Sequence, residues 1–137
     1  MTYLLDSDWM SNYLAQRRSA VAFIDPLVPD GLAISIITFT KVYEGIYFGR
    51  RPEHFEAVFL QFLEGVVVLE LSQPVARLCA RLRGSLRRTG QLIAFPDLLI
   101  AATALHRDLT LVTRNRQHFE RIPNLKLLSA PSEPADT

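Results

Sequence analysis

Short apolar runs alternate with longer amphipathic stretches along the 137-residue chain. Thr2–Asp6, Leu32–Ile36, Val66–Leu71, Thr110–Thr113 and Leu125–Leu128 read as five buried strands, near-continuously apolar. Between them the apolar residues recur at helical spacing. One helix is expected from about Ser7 to Arg18, with Trp9, Tyr13 and Leu14 on one face, and a shorter one over Val21–Val28. The Pro-Asp-Gly at 29–31 then turns the chain. Thr38–Phe48 reads as a helix ending near Gly49. Pro52 opens another, in which Phe55, Phe59 and Phe62 recur at i, i+4 and i+7. Gln73–Arg88 forms a long helix bounded by Gly90. Pro96 suits the first turn of a helix reaching about Arg107, and Phe119 lies in a short helical turn.

Strands that are apolar throughout, alternating with helices, imply an α/β fold with a parallel sheet covered on both faces. The length suits one domain, placed at 1–129. The polar, Pro-containing end, 130–137, is expected to be a disordered tail. No internal repeat or linker interrupts the pattern.

Apolar residues make up 49% of the chain, enough for one core. The net charge of +1 gives no bulk attraction to nucleic acid, so any such affinity needs a local patch. A single cysteine, Cys79, excludes an internal disulfide or a thiolate cluster. No apolar run approaches the ~20 residues of a membrane span, and no signal-peptide pattern opens the chain. A soluble cytoplasmic protein is the expectation.

Two acids stand where elements begin or end. Asp6 closes the first strand and Asp97 falls in a first helical turn. In open parallel sheets, ligands bind beyond the carboxyl ends of the strands, so both can face one edge. Each has a structural reading too: Asp6 as a helix N-cap, Asp97 as a charge on a helix dipole. Paired, they suggest a Mg²⁺ site, because clustered carboxylates repel and a hard cation relieves that repulsion.

The segments YLLDSDW, AISIITFTKVYEGIYFGR, PDLLIAATAL and LTLVTRNRQHFERIPNLKLL occur in this order over residues 2–128. Together they resemble a PIN-domain ribonuclease, above all the VapC toxins of type II toxin–antitoxin pairs. The run DLLIAATAL followed by LVTRN is the specific part. The resemblance implies a PIN-like three-layer α/β/α sandwich around a mainly parallel sheet. It implies a Mg²⁺-dependent endoribonuclease (Mn²⁺ as a substitute) that cleaves RNA phosphodiester bonds. It also implies inhibition by a cognate VapB-like antitoxin, homodimerisation and no membrane association. Asp6 matches the first family acid and Asp97 the third, and these two would hold the metal. The bound ion would activate water and stabilise charge on phosphate.

The chain departs from the family where a second acid is expected, because Lys41 stands there. Glu44 lies one helical turn on, on roughly the same face. Either Glu44 serves as the third catalytic acid, or Lys41 sets its ammonium where metal should be and impairs cleavage. The second case leaves a catalytically inactive PIN domain that binds antitoxin or RNA. A PIN nuclease for RNA processing, with no antitoxin, is a further alternative. At the fourth family position stands Asn115, which can orient water or phosphate or simply cap the turn into the Phe119 helix.

His118 invites a general-base role but is read as a surface residue. Asp8 forms a DxD pair with Asp6, as in haloacid-dehalogenase-like phosphatases; the later motifs of that class are missing. The third strand offers no phosphoacceptor Asp for a receiver domain, and no glycine-rich phosphate loop is present. Arg114 borders the expected site and is assigned to phosphate contact. Arg77, Arg81 and Arg88 share one face of the long helix and Arg83 and Arg87 another; a solvated face is the default reading for these. The Phe55, Phe59 and Phe62 stripe, with Tyr43, Tyr47 and Phe48 beside it, is either core or the wall of a groove for an antitoxin helix.

Overall fold

The computed structural model describes residues 1–130. Five parallel strands form one sheet in the order β3-β2-β1-β4-β5. They are β1 (Tyr3–Leu5), β2 (Leu32–Ser35), β3 (Val66–Leu69), β4 (Thr110–Val112) and β5 (Leu127–Leu128). The helices are α1 (Met10–Leu14), α2 (Arg18–Ile24), α3 (Ile36–Phe48), α4 (Pro52–Leu63), α5 (Gln73–Arg88), α6 (Phe95–Arg107) and α7 (Arg116–Phe119).

Strand side chains alternate between two cores, as a pleated sheet requires. Leu4, Ala33 and Leu111 face one side, with Val75, Cys79 and Leu86 of α5 and Leu98 and Ala101 of α6. Leu5, Leu32, Ile34 and Val112 face the other, with Trp9, Ile24, Val42, Phe59 and Phe62. The result is the expected three-layer α/β/α sandwich.

Local chemistry sets several boundaries. The Ser35 hydroxyl accepts from the N–H groups of Ile37 and Thr38, which starts α3 two residues before the expected Thr38. Ser72 caps α5 through the Val75 N–H, and α5 keeps its expected bounds. Pro52 and Pro96 sit in first helical turns.

The expected helix over Ser7–Arg18 is a correction. A 3-10 turn over Ser7–Trp9 leads into α1, which ends at Leu14. Gln16 then takes a left-handed conformation, φ 57°, and α2 begins at Arg18. The break brings Ala20 and Ile24 into the core and stacks Phe23 on Trp9 at 4.8 Å. One straight helix would carry those residues away from the sheet. The helix expected over Val21–Val28 is accordingly α2 followed by a 3-10 stretch, Asp25–Asp30. The third strand stops at Leu69, and Leu71 is exposed. Apart from Ala130, the expected tail at 130–137 lies outside the described residues.

Candidate active site

The parallel register places Leu5 beside Val112, so the next residues, Asp6 and Thr113, emerge together beyond the carboxyl edge. The Asp6 N–H donates to the Val112 carbonyl at 2.9 Å. Thr113 Oγ1 donates to Asp6 Oδ2 and the Ser7 N–H to Asp6 Oδ1, both at 2.8 Å. Asn115 N–H in turn donates to Thr113 Oγ1 at 3.0 Å. Asp6 is thus buried, 3% exposed, and satisfied on both oxygens. Burial nevertheless raises its pKa, against the Thr113 and Ser7 hydrogen bonds. Asp97 adds to the rise, and Lys41 opposes it. Those two charges therefore act on Asp6 within one electrostatic site.

Asp97 stands in the first turn of α6, between two bases. Its Oδ1 is 3.6 Å from Lys41 Nζ. Its Oδ2 is 3.3 Å from His118 Nε2, without hydrogen-bond geometry, so that buried nitrogen is left without a hydrogen-bond partner. Asp8 completes the cluster. Its Oδ2 accepts the Arg114 N–H at 3.0 Å. Its Oδ1 is buried with no partner, and burial, reinforced by the neighbouring Asp6, pushes its carboxyl up to about 6.

Position 41, on α3, meets Asp97 directly. Glu44, three residues further, is exposed and makes no hydrogen bond or ion pair among the described residues. Arg114 is exposed and its guanidinium lies 5.4 Å from the Trp9 ring centroid. Asn115 precedes α7 as its N-cap residue, but its side chain makes no capping hydrogen bond, so the capping reading holds for the backbone position alone.

From sequence alone Thr113 carries no role, Asp8 is only half of a DxD pair and His118 reads as a surface residue, yet all three stand at this edge. Thr113 is the bridge between β1 and β4, and only strand register could have revealed it. Asp8 joins the cluster as a partner of the Thr113–Arg114 turn. His118 reaches Asp97 because α7 folds back across the sheet edge. It is half-buried and not merely a surface residue.

The donor chemistry of Asp6 and Asp97 is that of a hard, oxygen-liking divalent cation. Position 41 offers an ammonium instead, and no group of three or more Asp, Glu, His or Cys side chains converges as a metal cage among the described residues.

A groove of about 450 Å³ runs from this edge between the N-terminal segment and α3. Met10, Leu14, Val42, Ile46 and Phe55 form its apolar wall, and Lys41 and Arg50 are its charged lining residues. Of the aromatic stripe, Phe59 and Phe62 are core, Phe55 lines the groove, and Tyr47 and Phe48 are exposed.

The PIN domain family model matches residues 3–125. The chain is 32% identical over 126 residues to ribonuclease VapC2 of Haemophilus influenzae, covering 92% of this chain and 96% of that protein. It is 33% identical over 96 residues to ribonuclease VapC2 of Rickettsia felis, covering 70% and 72%. Among solved structures, the chain superimposes on one from the VapBC2 complex of Rickettsia felis bound to a promoter DNA fragment. The TM-score is 0.86 at 27% identity, over 94% of this chain and 98% of that one. A chain of the DNA-bound VapBC complex of Salmonella typhimurium gives the same TM-score at 26% identity and the same coverage. With its fold, its acidic edge and these relatives, the chain belongs to the PIN-domain family and, within it, to the VapC ribonucleases.

Proposed function

We propose that the chain is the toxin of a VapBC-type toxin–antitoxin pair, an endoribonuclease acting in the cytoplasm with Mg²⁺ or Mn²⁺. The observation that supports this reading is Asp6 at the carboxyl edge of a VapC-family sheet, with Asp97 near enough for its charge to raise the Asp6 pKa. Asp6 and Asp97 would hold the ion, which when bound supplies an activated water and charge stabilisation at phosphate. Thr113 and the Ser7 N–H fix the Asp6 carboxylate in one orientation. His118 flanks Asp97 on one side, 3.3 Å away and without a hydrogen bond to it. Arg114 and Asn115 border the site, where they meet phosphate oxygens. Glu44 is the third acid that this reading places on the exposed side of α3.

The partner is a VapB-like antitoxin, with one of its helices laid along the apolar groove, and the working assembly contains a homodimer. No helix among the described residues is long and apolar enough to cross a membrane.

One observation favours a second reading. The Lys41 ammonium stands 3.6 Å from Asp97 Oδ1, where it competes with a metal ion, and in the limit the chain is a non-cutting PIN domain that binds antitoxin or RNA. RNA cleavage followed with and without Mg²⁺, on this chain and on Lys41→Glu, separates the readings. Metal-dependent cleavage that Asp97→Asn abolishes supports the nuclease. No cleavage by either protein supports the binding module.

A further inference from the structure

Helix α5 carries five arginines and no acid, although the whole chain nets only +1. Arg77, Arg81, Arg87 and Arg88 are exposed, and none makes an ion pair among the described residues. At 100° per residue, Arg77, Arg81 and Arg88 form one row and Arg83 and Arg87 another, about a third of a turn of the helix away. Between the rows lie only small or uncharged residues, among them Ala80 and Gly84. A Cβ built on Gly84 would meet nothing within 4 Å, so this strip is open. Val75, Cys79 and Leu86 point the other way, into the core.

A solvated face or a helix dipole does not account for this pattern. Like charges four residues apart, as in Arg77/Arg81 and Arg83/Arg87, destabilise a helix. The dipole favours cations only in the last turn, where Arg87 and Arg88 lie, and gives Arg77 and Arg81 nothing. A second copy of the chain is a poor occupant, since a two-fold contact would set arginine against arginine. The two rows complement a polyanion lying between them.

The rows also lead to the active edge. The short connection from α5 to α6 brings the carboxyl end of α5 to the start of α6. The Arg83 guanidinium lies 5.4 Å from the centroid of Phe95, a half-exposed ring two residues before Asp97. From Arg77 to Arg88 the track runs about 16 Å at 1.5 Å per residue, long enough for several nucleotides. We infer that α5 is a phosphate track that holds the substrate RNA strand as it enters or leaves the Asp6–Asp97 edge. The assignment rests on the ribonuclease reading for its occupant, single-stranded RNA, and concerns binding away from the chemistry.

The test measures binding, not cleavage. A fluorescein-labelled 20-nucleotide RNA is titrated with the full chain in EDTA, by anisotropy, over a series of salt concentrations. Substituting Arg77→Ala, Arg81→Ala and Arg88→Ala together should weaken binding at least tenfold at low salt. It should also flatten the log–log salt slope by about 2, at about 0.7 per single-strand phosphate contact. The triple lysine variant should keep most of the slope, and circular dichroism should show all three proteins equally helical. An unchanged affinity and slope in the triple alanine protein overturns the track. So does poly-glutamate of equal charge displacing the RNA more effectively than unlabelled RNA does, which would make α5 a site for an acidic protein. Metal-dependent cleavage of the same RNA is scored separately. A protein that binds along α5 but never cuts leaves this inference standing and removes the nuclease reading; one that cuts with the track deleted and its affinity unchanged does the reverse.

Discussion

Lys41 Nζ lies 3.6 Å from Asp97 Oδ1, a cation from α3 set against a carboxylate from α6 at the edge where VapC-family chemistry is expected. At that separation and an effective dielectric near 20, the attraction is about 5 kcal/mol before desolvation. Lys41 is 39% exposed, and solvent reduces the net value to about 1 kcal/mol. Replacing the ammonium by a carboxylate removes this competitor and adds a hard oxygen donor. Lys41→Glu should therefore tighten Mn²⁺ binding at least tenfold and raise Mg²⁺-dependent RNA cleavage in parallel. Calorimetry and a cleavage assay on the same sample check both; equal affinity and equal cleavage by the two proteins would reject the role given to Lys41.

Thr113 holds Asp6 through a 2.8 Å hydrogen bond in a buried setting. Thr113→Val keeps the shape and deletes the donor. Hydrogen bonds to charged groups contribute about 1.5–3 kcal/mol, so urea unfolding at neutral pH should show a loss of about 2 kcal/mol. The Asp6 carboxyl should titrate higher still, as carbon-detected NMR of the side chain would show.

Asp8 sets a pH dependence. Its folded pKa, pushed up to about 6 by burial and then by Asp6, exceeds that of the unfolded chain. The folded protein therefore binds the proton more tightly. The stabilising contribution is present in full below the unfolded carboxylate range and is lost as pH rises through 6. The raised Asp6 acts in the same direction. Asp8→Asn should remove about 2 kcal/mol of this fall between pH 4 and 7, read as a flatter profile of unfolding free energy. A profile that keeps its full slope in the variant would contradict the assignment.

Gly45 lines the groove, and a Cβ added there meets nothing within 4 Å. Gly45→Trp should fold normally, with α3 strengthened by the loss of a mid-helix glycine, while the indole fills the groove. Co-purification of a co-expressed VapB-type antitoxin should fall at least tenfold, with the melting temperature unchanged or raised. Undiminished co-purification would place the antitoxin elsewhere.

The layers and the sheet edge were legible because buried parallel strands are apolar on both faces and leave short unmistakable runs. α5 and α6 were legible from Gly90, which follows α5, and from Pro96; the Ser72 cap of α5 emerged only in the structure. The break at Gln16 was not: nothing local marks it, and the burial of Ala20 and Ile24 and the Trp9–Phe23 stack decide it. Asp6 and Asp97 could be placed from strand and helix ends. Thr113 could not, because its role depends on which strand lies beside β1. His118 could not, because its partner is set by the path of α7 over the edge. Lys41 stood out only against the family pattern, and its contact with Asp97 needed three dimensions.

The central claim is that Asp6 and Asp97 together hold a divalent cation once position 41 allows it. Crystals of the Lys41→Glu protein soaked in Mn²⁺ test it most directly. An anomalous peak at coordination distance, about 2.2 Å, from oxygens of both Asp6 and Asp97 is the expected result. A peak elsewhere on the molecule, with neither carboxylate in reach, would contradict the account.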